Sequence, residues 1–172
     1  AFMLIILVSF LVVLVITVTS IGRFSNSIKE EVVINTVETS KNYFSSLLYS
    51  SESEDLYSFD EREQSETVSM LNNISVNVED VSTFVTDING NIVFSYYCEN
   101  SKMAFEGKLP EDILSALSTD GEYFSTGRFT DFFSGANILC GRVLKNCNGV
   151  ECGYVFSCSD SFMMSDLWEL MF

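Results

Sequence analysis

The sequence predicts an α+β fold, a five-stranded antiparallel sheet packed on long N-terminal helices and preceded by one transmembrane helix. Three observations predict it. Residues 1–18 are almost unbroken Leu, Ile, Val and Phe, with no charge before Arg23. Residues 81–97, VSTFVTDINGNIVFSYY, read as strand on both sides of Asn89-Gly90, and three more strand-like runs follow Gly121.

Taken in order, the apolar run is broken only by Ser9 and Thr17. About 20 helical residues at 1.5 Å each span the roughly 30 Å hydrocarbon layer of a bilayer, so residues 1–21 are expected to cross a membrane. The run is longer than a signal-peptide core, no small-x-small cleavage site follows it cleanly, and Ala1 opens directly into it, as in a fragment of a longer protein. Residues 22–79 form the second expected unit, a membrane-proximal stalk with a packing helix. Phe24, Ile28, Val32, Val33, Val37, Phe44, Leu47 and Leu48 recur at three- and four-residue steps, predicting a helix to about Tyr49. Its apolar stripe needs a partner, either this chain's sheet or the same helix of a second subunit. Residues 50–60 read as a loop and 60–74 as a second helix with Val68, Leu71 and Ile74 on one face.

Residues 80–160 are the expected sheet unit. Asn-Gly suits the positive φ angles of a tight turn, and the Asp87 side chain can bond the backbone two residues on, so Asp87, Asn89 and Gly90 are expected to form the turn. Pro110 suits the first turn of a short helix with Ile113, Leu114 and Leu117 inward and Gly121 at its end. Residues 122–129, 136–144 and 151–159 follow as strands, the last two joined through Asn148-Gly149. Residues 161–172 read as an exit helix toward a second transmembrane segment, with Trp168 and Phe172 suited to a bilayer interface.

Nine basic against 24 acidic residues give a net charge of −15, carried outside the apolar run, which excludes nucleic acid as a partner. The chain has no His, so a zinc site is not expected, and the acids are scattered; no metal or cofactor is expected. Five cysteines lie beyond the membrane run. If residues 148–151 form a four-residue loop, Cys147 and Cys152 face each other across its base within disulfide reach, with Cys140 and Cys158 as a second candidate pair one residue out of register and Cys98 left over. The alternative is a reduced set of small core residues. Disulfides would place the domain outside the cytoplasm.

DINGNIVF in the hairpin and GYVFSCSD in the last strand resemble the extracytoplasmic PAS-like sensor domains, also called PDC or single Cache domains, of bacterial membrane-bound sensor histidine kinases. Those families typically carry an acid-x-x-Gly turn between the first two strands, matched by Asp87 to Gly90, and a Gly-x-Val-hydrophobic-Ser last strand, matched by Gly153 to Ser157. With the flanking helices the similarity covers nearly the whole chain. It implies a PAS-like sheet and a signal-sensing domain in the bacterial cell membrane, its folded part extracytoplasmic. It further implies a homodimer that receives a small-molecule or envelope signal. The cysteine cluster, the acidic 50–60 loop and the missing kinase half depart from the pattern.

No catalytic set is visible, lacking His, a Gly-x-Ser-x-Gly elbow and a phosphate loop. For ligand contacts the residues nominated are Tyr97, Tyr123, Arg128 and Arg142, because basic groups are rare here and an Arg can clamp a carboxylate with two parallel hydrogen bonds. The competing reading of each Arg is an ion pair with one of the many acids. Phe132 and Phe133 read as a pocket lid, a dimer contact or a loop anchor. Other outputs fit the same layout, namely a chemoreceptor or a diguanylate cyclase. A pilin-like assembly subunit is the alternative of a different class, although Ile5 stands where such sequences usually carry Glu.

Overall fold

The computed structural model describes residues 2–50, 55–77, 81–96, 108–128 and 136–161. Helix α1 runs unbroken over Phe2–Ser50, 49 residues and about 73 Å of rise, so the apolar run and the stalk are one rod. An 18-residue window of it has a mean hydropathy of 3.1 and none of it is buried, which makes the helix long and apolar enough to cross a membrane. No proline interrupts α1; the only one in the chain is Pro110.

A short 3-10 helix, Leu56–Ser58, sits in the expected loop and is capped by Asp55, whose carboxylate accepts the N–H groups of Tyr57 and Ser58. Helix α2 (Glu61–Asn77) opens with a capping box: Glu63 N–H donates to Asp60 Oδ1 at 2.8 Å, and Asp60 N–H donates to Glu63 Oε2 at 2.9 Å. It runs three residues past the expected end at Ile74, because Asn72-Asn73 lower helix propensity without breaking the backbone bonds. Then follow β1 (Val81–Asp87), β2 (Ile92–Tyr96), α3 (Glu111–Asp120), β3 (Glu122–Arg128), β4 (Ala136–Lys145) and β5 (Glu151–Asp160). Gly121 ends α3 at φ +73°, its N–H returned to Leu117 O, as the sequence position suggested.

The strands form one sheet in the order β2-β1-β5-β4-β3, every pair antiparallel. The fold is therefore α+β with a five-stranded antiparallel sheet on N-terminal helices, as expected. The first and last strands meet at the centre, Phe84 opposite Phe156. Both are covered on both faces, and β1 is buried at every position.

On the helix side Val33, Val37, Phe44 and Leu48 of α1 and Leu71 of α2 pack with Val85, Ile138, Leu144 and Val155. The stripe of α1 thus finds its partner in its own sheet. On the outer side Ile113 and Leu117 of α3, with Leu109, cover Phe84, Leu139, Tyr154 and Phe156. The rings of Phe84 and Phe156 stack at 4.9 Å and 8°.

Two glycines are required by close approach. A Cβ at Gly141 would stand 2.5 Å from the Phe156 ring, and one at Gly153 would stand 2.2 Å from the Thr86 carbonyl oxygen. The second obstacle is backbone and cannot rotate away. Gly153→Ala is expected to destabilise the fold by about 1–3 kcal/mol. Gly127→Ala, where nothing lies within 4 Å, should change stability by less than about 0.5 kcal/mol. Urea unfolding of both variants checks the contrast.

Candidate functional site

The β1–β2 turn is built around Asp87. Its Oδ1 accepts the N–H groups of Asn89 (2.9 Å) and Asn91 (2.8 Å), and its Oδ2 accepts Asn91 Nδ2 (2.7 Å) and the Tyr57 hydroxyl (3.0 Å). Gly90 N–H closes onto Asp87 O and Asp87 N–H onto Asn91 O. These bonds enclose Ile88, Asn89 and Gly90, with Gly90 left-handed at φ +84°, so this is a three-residue loop with a glycine bulge rather than a two-residue turn. Asp87, Asn89 and Gly90 occupy the turn as expected. Burial acts to raise the Asp87 pKa, yet the bonds from the Asn91 side chain and backbone, from Tyr57 and from Asn89 outweigh it and hold the carboxyl below 3.8. The side chain therefore shapes the turn and pins the 50s segment to it.

Of the four nominated ligand residues the structure describes the side chains of two, Tyr123 and Arg142, and it places them on opposite faces of the sheet. Tyr123 is half-buried on the outer layer with Val143 and Leu114. Arg142 belongs to the helix side: its Nε donates to Glu38 of α1 at 2.5 Å, Nη2 lies 3.5 Å from Glu122, and Nη1 donates to Gly141 O and Cys140 Sγ. Those contacts engage all three guanidinium nitrogens, which is the ion-pair reading of this residue. The Arg128 backbone lies on β3. Tyr97, Cys98, Phe132, Phe133 and the 162–172 stretch lie outside the described residues.

Two adjoining hollows flank Arg142. One, of about 470 Å³, lies among Glu38, Lys41, Asp120, Glu122 and Lys145. The other, of about 530 Å³, lies among Ile34, Asp120, Phe124 and Cys140. A third, of about 620 Å³, runs between α1 and α2 beside Val32, Thr36, Thr39, Tyr43, Met70 and Ile74. Thr36 and Thr39 donate their hydroxyls to the carbonyls of Val32 (2.8 Å) and Asn35 (2.9 Å), so both hydroxyls are satisfied within the helix. Sequence-distant pairings such as Glu38–Arg142 and Tyr57–Asp87, and the Thr positions of α1, could not be read from local pattern.

The cysteine expectations are corrected. Cys140, Cys147, Cys152 and Cys158 are all free thiols. The loop closes at Asn146, whose N–H reaches Val150 O and whose side chain takes the N–H groups of Asn148 and Val150. Cys147 is thereby an exposed turn residue rather than the partner of buried Cys152. Cys140 and Cys158 lie in opposite core layers, so the sheet separates them. Burial pushes the Cys152 thiol up to about 11, with Asp55 adding to it, and raises Cys158 and Cys140 as well. Protonated and enclosed, these three are inert core residues.

No family model matches the sequence. No curated protein matches it either. One similar solved structure is the crystal structure of the E. coli DcuS sensor domain, 14% identical, covering 79% of this chain and 97% of that chain at a TM-score of 0.40.

The pH dependence of Asp87 follows from its sign. A lowered native pKa gives stability that is present above the unfolded value near 3.8 and lost as pH falls through the native one. At pH 7, Asp87→Asn should cost about 1–2 kcal/mol and Asp87→Ala about 2–4 kcal/mol. The gap between wild type and Asp87→Asn should close as urea titrations are carried from pH 5 to pH 3. For Arg142, a double-mutant cycle of Arg142→Ala with Glu38→Ala should give a coupling of about 1 kcal/mol in unfolding, the signature of a structural tether.

Proposed function

We propose that the chain is the extracytoplasmic signal-sensing domain of a transmembrane sensor histidine kinase, a homodimer that passes a conformational change across the bacterial cell membrane. The observation that carries the reading is the continuity of α1: the helix whose Val33, Val37, Phe44 and Leu48 lie under the sheet is the same helix that is apolar enough to span a bilayer. A change of sheet packing that displaces α1 moves the membrane segment with it, since no loop intervenes to absorb the motion.

In this reading residues 1–21 span the membrane, residues 22–79 are stalk and packing helix, residues 80–160 are the sensor sheet, and residues 161–172 lead back to the membrane. Tyr123 is the ligand contact on the outer layer. Arg142 holds α1 to β4 instead of meeting ligand. The ligand is a small molecule or envelope component that binds two arrangements of sheet and helix with unequal affinity. Its differential affinity, a few kcal/mol, is all that the shift requires.

The test is a thermal-shift screen of the full chain in lipid nanodiscs against small carboxylates, amino acids and cations. A ligand at 100 times its dissociation constant adds roughly 2.7 kcal/mol and raises the midpoint accordingly. Tyr123→Ala should abolish that shift and Arg142→Ala should leave it in place. If no compound shifts the melt, or if the shift survives Tyr123→Ala, the ligand assignment to the outer layer is wrong.

A further inference from the structure

Along α1 the buried residues from Val33 onward, Val33, Thr36, Val37, Ser40, Phe44 and Leu48, lie within the span that packs on the sheet. Gly22 is the exception. It is buried eleven residues earlier, three turns nearer the membrane end. Val18, Thr19, Ser25, Asn26 and Lys29, which share its side of the helix at three- and four-residue steps, are half-buried, whereas Ser27 and Phe24 on the opposite side are exposed. The burial arises within a single chain, so a second copy is not its cause.

The chain is delivered to this face at one point. Lys29 Nζ donates to the carbonyl oxygen of Asp160 at 3.0 Å, and Ser161, the next residue, is buried. β5 therefore ends against α1 at the upper edge of the shielded face. We propose that this face of α1, from Val18 to Lys29 and centred on Gly22, is the docking surface for residues 162–172 of the same chain, which lie outside the described residues.

Length and charge both fit this occupant. Eleven residues separate Val18 from Lys29, and 162–172 is eleven residues, so a helical run of it covers the same rise of about 17 Å. The face is made of small residues, Thr19, Gly22 and Ser25, which let another backbone come close, and the stretch supplies the bulk: Phe162, Met163, Leu167, Trp168, Leu170 and Met171. Its charges, Asp166 and Glu169, are acidic, and the charges of α1 up to Lys29 are Arg23 and Lys29, both basic. The dock would join the two membrane-directed ends of the domain side by side. It stands apart from ligand sensing, because contact and not signalling is what the experiment reads.

A benzoylphenylalanine probe placed at Ser25 of the full chain tests it, in vesicles of phosphatidylcholine and phosphatidylglycerol, using equal parts of unlabelled and nitrogen-15-labelled protein. After irradiation and digestion, mass spectrometry should place the adduct on the 162–172 peptide of the same isotopic chain. A probe at Ser27, on the opposite side, should give at least tenfold less of it. Gly22→Leu should lower the Ser25 adduct at least threefold and shift the emission of Trp168, the only tryptophan. Adducts joining the two isotopic forms, adducts to lipid alone, equal yields from positions 25 and 27, or indifference to Gly22→Leu would each overturn the proposal.

Discussion

Everything in this molecule depends on one helix meeting two different surroundings. Between residues 2 and 17 α1 is almost wholly apolar and exposed throughout, a surface suited to lipid rather than to water. From Val33 onward the same helix is amphipathic and buries a single stripe under β4 and β5. The change happens without a break in the helix, so the orientation of the sheet fixes the rotation of the apolar half. Glu38 with Arg142 and Lys29 with the Asp160 carbonyl fix it further, one beside the buried stripe and one at its lower edge.

The sheet is held by two turns that solve the same problem with the same chemistry. Asp87-Ile88-Asn89-Gly90 and Asn146-Cys147-Asn148-Gly149 each place an acceptor side chain at the first position, where it takes two backbone N–H groups. Each places a glycine of positive φ at the fourth. That geometry sets the register of both hairpins, and with it which residues of β1 and β5 face α1. A one-residue slip at either turn would send Val85 or Val155 to the wrong side. Asp87 carries more than Asn146 because its second oxygen also receives Tyr57, binding the connection between the helices to the sheet.

Most of the fold was legible because its signals are local. Alternation located all five strands to within a residue or so, the Pro110 and Gly121 pair bounded α3, and the uninterrupted apolar run announced the span. The errors came where a local signal had two geometries. Asn148-Gly149 fits a loop with Cys147 outside it, whereas Asn146 initiates the turn and draws Cys147 in. The same three-residue geometry holds at Asn89-Gly90, where only the glycine needs positive φ. Site chemistry was least legible, since Arg142 looks the same in sequence whether it meets a ligand or a Glu 104 positions away. Its isolation among so many acids made the ion pair the better expectation.

The distribution of bulk along α1 says how such a rod would respond to a change in the sheet. Within the span that packs on the sheet its first buried residues are Val33, Thr36, Val37 and Ser40, all small or β-branched, while Phe44 and Leu48 follow at the far end. Phe44 also meets Tyr43 and Phe94 ring to ring, at 5.7 and 6.2 Å. Each large apolar side chain withdrawn from water contributes about 1.5–3 kcal/mol, so the far end is the firmly held one. The near end relies on shallower contacts and on single polar bonds such as Lys29 to Asp160, worth about 1 kcal/mol where partly exposed. The sheet therefore grips α1 most firmly at its Phe44 and Leu48 end.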